Sequence, residues 1–218
     1  MYDYIFFDLD GTLTDPGLGI TNSVMYALGK FGITVSDRSA LYPFIGPPLL
    51  DSFQRYYGLT EEQSRAATRY YREVFSVTGL FENEVYPGVP EMLEHLRGAG
   101  RQLVVATSKP EEFARRILVH FSLDGYFART CGAAMDETRT RKDEVIRYAL
   151  ERCGSPAPDR VLMVGDREHD VLGAAKCGIE TLGVLYGYGG RAELEAAGAK
   201  YLAETVGDVE DIILGAGN

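Results

Sequence analysis

The chain has 218 residues, 45% of them hydrophobic and 25% charged, with a formal net charge of -10 and a pI near 4.8. That balance suits a globular protein with a full core and excludes collagen-like, coiled-coil and disordered chains, while the acidity speaks against nucleic-acid binding, which needs clustered cations to displace counterions. No apolar run approaches the roughly 20 residues of a membrane span and no basic stretch leads into an apolar signal region, so neither a membrane nor an export route is expected, and a cytoplasmic compartment is.

Tyr4-Ile5-Phe6-Phe7 is the first strand-like run. It stops in "DLDGT", where Asp8 and Asp10 flank Leu9 and Gly11 follows at once. Two adjacent carboxylates repel by roughly 1 kcal/mol at 4 Å in water and about 4 kcal/mol at a protein-like dielectric, so something positive belongs between them. The turn formers "TDPGLG" then open a region without strand character. Its clearest helix starts at a capping box of Thr60 and Gln63 and carries Ala67, Tyr70, Tyr71, Val74 and Phe75 along one face. A second turn-rich stretch, "ENEVYPGVP", ends it.

From there apolar strands and amphipathic helices alternate. Val89, Met92, Leu93 and Leu96 have helical spacing, Gln102 to Ala106 is a strand, and Phe113, Ile117 and Phe121 mark another helix. Ile146, Ala149, Leu150 and Cys153 mark the next, before strands at Arg160 to Val164 and Thr181 to Leu185. The alternation predicts an α/β fold, a Rossmann-like parallel sheet covered by helices, with residues 17–84 as an all-helical insert after the first strand and residues 1–16 and 85–218 as the core domain. Cys131, Cys153 and Cys177 are odd in number and widely spaced, which suits reduced thiols and argues against a zinc site.

Ligands of such sheets bind beyond the carboxyl ends of the strands. The polar residues of interest fall there: Asp8 and Asp10 after the first strand, Thr107 and Ser108 after "QLVVA", and Asp166 and Asp170 in "GDREHD" after "RVLMV". Lys142 opens the helix "KDEVIRYAL", from which it can reach the same rim. Each alone has a plain structural explanation: Asp10-Gly11 as a turn, Ser108 with Glu111 as a helix cap, Lys142 as a surface lysine. Their order along the chain is what carries the argument.

In that order, with "DLDGT", "VVATS", Lys142 and "GDREHD" as four motifs, the sequence resembles the haloacid dehalogenase superfamily along essentially its whole length. Within it the chain is similar to phosphoglycolate-phosphatase-like hydrolases, and "FIGPPLLDSF" at 44–53 looks like the cap segment of a bacterial branch described as 5'-nucleotidases. The resemblance implies a Mg²⁺-dependent phosphatase whose metal ligands are Asp8, the main-chain carbonyl of Asp10, Asp166, and Asp170 directly or through water. It makes Asp8 the nucleophile and Asp10 the general acid and base, with Thr107, Ser108 and Lys142 on the phosphate. Asp10 favours phosphate esters, since dehalogenases of the superfamily lack an acid there and its transport ATPases carry Thr. The helical insert would be a cap that closes over the site, with Gly46 in its substrate-facing segment. The implied partner is a small phosphorylated metabolite such as phosphoglycolate or a nucleoside 5'-monophosphate, handled by a monomer or homodimer. A sugar phosphomutase of the same superfamily, or a binding module that keeps the fold without catalysis, are the competing readings.

Several residues compete for attention. Lys109 stands beside Ser108, and Arg139 and Arg141 precede Lys142, which is preferred as the phosphate lysine because it opens the helix. His169 lies inside the fourth motif and reads as a loop position. The glycines of "YGYGG" at 186–190 read as shaping the rim.

Overall fold

The computed structural model describes residues 2–136 and 138–215. By contact density the chain divides into two compact units, residues 1–14 with 85–218 and residues 15–84. It passes between them in two short strands that pair with each other, β2 (Thr14–Asp15) and β3 (Glu84–Val85).

The larger unit is built on a six-stranded parallel sheet. Its strands are β1 (Tyr4–Phe7), β4 (Gln102–Pro110), β5 (Arg129–Ala133), β6 (Val161–Gly165), β7 (Glu180–Val184) and β8 (Tyr201–Ala203), in the spatial order β5-β4-β1-β6-β7-β8. Tyr4 pairs with Gln102 on one side and Val161 on the other, and the register runs unbroken to Phe7, Val105 and Val164. β1 is therefore central, and the strand order reverses around it, which opens a crevice at the carboxyl ends of β1, β4 and β6.

The helices between strands are α4 (Val89–Gly98), α5 (Glu111–His120), α6 (Lys142–Arg152), α7 (Glu168–Ala175), α8 (Arg191–Ala197) and α9 (Val206–Leu214). Phe6, Val104, Ala106 and Met163 project from one face of the sheet onto Val145, Ile146 and Ala149 of α6 and Ala174 of α7. Strand alternation sends Ile5 and Phe7 to the opposite face, where they are equally buried. Hydrophobic runs without alternation, as in "YIFF" and "VLMV", follow from burial on both faces. Cys131 lies in the first of these clusters, and burial pushes its thiol up to about 11.

The smaller unit is helical, with α1 (Gly17–Gly29), α2 (Leu49–Tyr57) and α3 (Glu61–Val74). The capping box at the start of α3 is present, Gln63 N donating to Thr60 Oγ1 at 3.2 Å and Thr60 N to Gln63 Oε1 at 2.9 Å. Ala67, Tyr71 and Phe75 form its buried face, whereas Tyr70 and Val74 are half-buried; Ser64 and Thr68 take their place, with Thr68 Oγ1 donating to Ser64 O at 2.9 Å. A hydroxyl bonded within its own helix can be buried at little cost, which polarity alone does not reveal. No helix among the described residues is long and apolar enough to cross a membrane.

Candidate active site

Past Phe7, Asp8 N still donates to Val164 O at 2.9 Å, so the first carboxylate sits on the sheet's own hydrogen-bond ladder. The chain then coils back: Leu9 O accepts from the N–H groups of Thr12, Leu13 and Thr14, and Gly11 N donates to Thr14 O at 2.8 Å. This loop holds Asp10 beside Asp8 with both residues buried. From β6, Gly165 leads into Asp166, and Asp170 sits in the first turn of α7, where its Oδ2 accepts from Arg167 N at 3.0 Å.

Asp8, Asp166 and Asp170 each offer a carboxylate oxygen, and the three atoms lie within 4.8 Å of one another. Lys142, the first residue of α6, reaches into the same cluster. Its Nζ is 2.9 Å from Asp8 Oδ1 and 2.6 Å from Asp170 Oδ1, close ion pairs that lie off the hydrogen-bonding direction. Lys109 makes the other pair, its Nζ 2.5 Å from Asp10 Oδ2. Four buried carboxylates thus face two buried ammonium groups.

The charge left over is felt where no lysine reaches. Burial raises the Asp166 carboxyl well above the ordinary range, and the neighbouring Asp170 and Asp8 raise it further. Burial also raises Asp170, to about 6, against the pull of Lys142. Asp10 is raised by burial, with Lys109 working against the rise. Burial alone would lower Lys142, but Asp170 and Asp8 outweigh it and hold the lysine charged. Asp166 Oδ1 is buried with no hydrogen-bond partner, while its Oδ2 accepts from Tyr188 N at 2.7 Å. An all-oxygen cluster with surplus negative charge and an unpartnered carboxylate oxygen fits a hard divalent cation.

Of the residues singled out in the sequence, Asp8, Asp10, Asp166, Asp170 and Lys142 therefore come together. Thr107 is buried within β4, where its pairing with β5 begins to shift, its Oγ1 accepting from Lys109 N at 3.2 Å, and Ser108 is half-buried beside it. Ser108 does not cap α5: the residue before that helix is Pro110, which offers no side-chain cap, and Glu111 accepts from Arg115 and Gly132 instead. Gly46 belongs to the helical unit, in the turn ahead of α2 at φ +101°. Arg139 lies over the Tyr148 ring and donates to Gly132 O, and Arg141 pairs with Asp143 at 3.0 Å. His169 is half-buried in α7, with burial lowering its imidazole.

Three contributors have roles that the sequence did not assign. Lys109 joins the cluster although only Lys142 opens a helix. The "YGYGG" loop supports Asp166 through Tyr188 N, and Tyr186, whose hydroxyl donates to Thr12 O at 3.1 Å, ties it to the first motif. Glu193 pins the start of α7, its Oε1 accepting from Arg167 Nε at 2.8 Å and Glu168 N at 2.9 Å. The loop glycines and the place of Lys109 beside Ser108 were the signals available, the first because small residues permit close backbone approach.

Comparison with known proteins agrees with this architecture. The profile of haloacid dehalogenase-like hydrolases matches residues 5–184. A Pseudomonas aeruginosa protein named 5'-nucleotidase is 51% identical over 195 residues, covering 89% of this chain and 88% of that protein. A Mycobacterium tuberculosis protein named tyrosine-protein kinase PtkA is 43% identical over 185 residues, covering 85% of this chain and 62% of its own length. Among solved structures, a Clostridium acetobutylicum protein described as a predicted phosphatase superimposes with a TM-score of 0.96 at 47% identity, covering 99% of each chain. The chain belongs to the haloacid dehalogenase-like hydrolase family and is a phosphatase within it.

Proposed function

We propose that the protein is a Mg²⁺-dependent phosphatase acting on a small phosphate monoester through an aspartyl-phosphate, with a nucleoside 5'-monophosphate as the favoured substrate and phosphoglycolate as the alternative. The observation that carries this reading is the convergence of four buried carboxylates and two lysines at the carboxyl ends of three adjacent parallel strands. The preference for a nucleotide rests on the Pseudomonas aeruginosa relative and its name.

Asp8, Asp166, Asp170 and the main-chain carbonyl of Asp10 would hold the cation, Asp170 directly or through water. Bound there, Mg²⁺ would offset the carboxylate charge and draw electron density from the phosphoryl oxygens. Asp8 attacks phosphorus while Asp10 protonates the departing oxygen, and Asp10 then takes a proton from the water that hydrolyses the acyl phosphate. Lys142, the Thr107 hydroxyl and backbone N–H groups near Leu9, Asp10 and Ser108 stabilise charge on the phosphoryl oxygens. A soluble cytoplasmic metabolite is the fitting partner.

The test is phosphate release from nucleoside 5'-monophosphates and phosphoglycolate in Mg²⁺ and again in EDTA, with Asp8→Asn alongside. Activity should vanish with EDTA and fall more than about 10³-fold in the folded Asn variant. A folded Asp8→Asn protein turning over near the wild-type rate would refute the assignment.

A further inference from the structure

β4 does not end regularly. Its pairing with β5 shifts between Thr107 and Pro110, so that Thr107 stands opposite Gly132 and Pro110 opposite Ala133. An irregularity of this kind re-aims the side chains beside it. The close approach that it needs depends on Gly132, where an added Cβ would stand 2.5 Å from Glu111 Cα and 2.7 Å from Lys109 O. The consequence is that Lys109, next to two residues expected to face phosphate, turns its ammonium group into the interior, with its side chain 4% exposed, onto Asp10 Oδ2. The other oxygen of that carboxylate, Oδ1, is buried and has no hydrogen-bond partner. A buried pair of this kind contributes little net stability compared with apolar residues of the same size, so fold stability alone does not account for it.

We propose that Lys109 is a positioning residue for the acid step: by holding Oδ2 of Asp10 it fixes the carboxyl so that Oδ1 serves the leaving group. This rests on the phosphatase reading above and deepens it. In that step the bond from Asp8 to phosphorus forms and the ester P–O bond breaks. Its electron pair stays on the leaving oxygen, and the proton on Asp10 Oδ1 moves to that oxygen. Asp10 is left as a carboxylate facing the Lys109 ammonium, which neutralises the charge as it appears. When water attacks phosphorus, the bond from phosphorus to Asp8 breaks with its electron pair left on the Asp8 carboxylate, and a proton of that water passes to Asp10, which resets the pair.

A leaving group that needs no proton separates this role from general damage. p-Nitrophenolate departs unassisted, whereas the sugar alkoxide of a nucleoside 5'-monophosphate has to be protonated. The experiment compares kcat/KM, which reports phosphoryl transfer to Asp8 and not the later attack of water common to both esters, in the Mg²⁺-loaded wild type, Lys109→Met, Lys109→Gln and Asp10→Asn, with unfolding midpoints measured in parallel. In Lys109→Met, kcat/KM on the nucleotide should fall about 10²-fold, while kcat/KM on p-nitrophenyl phosphate loses less than about fivefold. Asp10→Asn should show the same selectivity more strongly. Lys109→Gln, which can still donate to Oδ2, should recover part of the nucleotide rate.

Equal loss on both esters, or no loss on either, would overturn the role of Lys109 while leaving the phosphatase reading standing. If the Met variant does not fold, the Gln variant decides, an unchanged ratio of the two rates being the refuting result. A wild type that releases phosphate from neither ester would refute both readings together.

Discussion

At Gly11 the backbone runs at φ +78°, and a Cβ placed there would stand 2.2 Å from Asp166 Oδ2. Both facts forbid a side chain: the left-handed conformation costs an L-residue about 1–2 kcal/mol, and forcing a methyl group into packed surroundings adds about 1–3 kcal/mol. Gly11→Ala should therefore lose roughly 2–4 kcal/mol in a denaturant titration and weaken Mg²⁺ binding, because the atom displaced belongs to a proposed ligand. A variant with a wild-type midpoint would show that the loop relaxes freely and that Asp166 is not held by it. The residues of the first and fourth motifs were legible because their spacing is rigid: both follow directly on short core strands. Lys109 stood out only as a rival to Lys142, and its pairing with Asp10 was not legible, since nothing in "TSKP" tells that the strand shifts register there and turns the lysine inward.

Helix α6 illustrates how an element can position one side chain. Lys142 is its first residue, and the neighbouring Asp143 is buried with its oxygens bonded to Arg141 at 3.0 Å and Arg147 at 2.8 Å, and with Lys176 at 3.5 Å. Burial works to raise the Asp143 carboxyl, but the hydrogen bonds from Arg141 and Arg147 outweigh it and hold it below the usual range. A depressed carboxyl contributes stability above its unfolded pKa, and that contribution is lost as the pH falls through the lower folded value. Asp143→Ala should cost about 2 kcal/mol at neutral pH, with the difference from wild type shrinking as both are acidified below roughly pH 4. Activity should fall as well, since the turn that carries Lys142 loses its anchor. A variant that is equally stable, or whose deficit persists unchanged in acid, would contradict this account. The same scale explains which elements the sequence disclosed. Central β6 is buried along its whole length and reads as a continuous apolar run, whereas β5 and β8, at the two edges of the sheet, begin with the exposed Arg129 and the half-buried Tyr201 and are spelled "RTCGA" and "YLA". Edge strands bury less and carry correspondingly weaker patterns.

For the molecule as a whole, the carboxylate cluster is a source of instability that the proposed cation would relieve. The net charge of -10 already disfavours compaction, and Asp8, Asp166 and Asp170 concentrate part of it where water cannot screen it. Asp170 titrates near 6 in the folded, metal-free protein against 3.8 for a free side chain. A raised carboxyl stabilises the fold fully below its unfolded value, and the contribution disappears as the pH rises through the folded one, so the metal-free protein should lose stability between about pH 4 and pH 6 from this group. Asp166, raised further, extends the loss to higher pH. Mg²⁺ held as proposed by the ionised carboxylates would have the opposite slope: the stabilisation on adding Mg²⁺ should be small near pH 5 and large near pH 7.5, approaching about 2.7 kcal/mol when the ion is at 100 times its dissociation constant. Asp166→Asn separates the two effects. Without the third negative charge the metal-free variant should be at least as stable as wild type near pH 7.5, yet show almost no response to Mg²⁺. Stability gained by removing a functional group is the expected signature of a site whose geometry serves catalysis. An Asp166→Asn protein that is less stable without metal, or that keeps the full Mg²⁺ response, would mean that this carboxylate serves the fold and that the cation is held elsewhere.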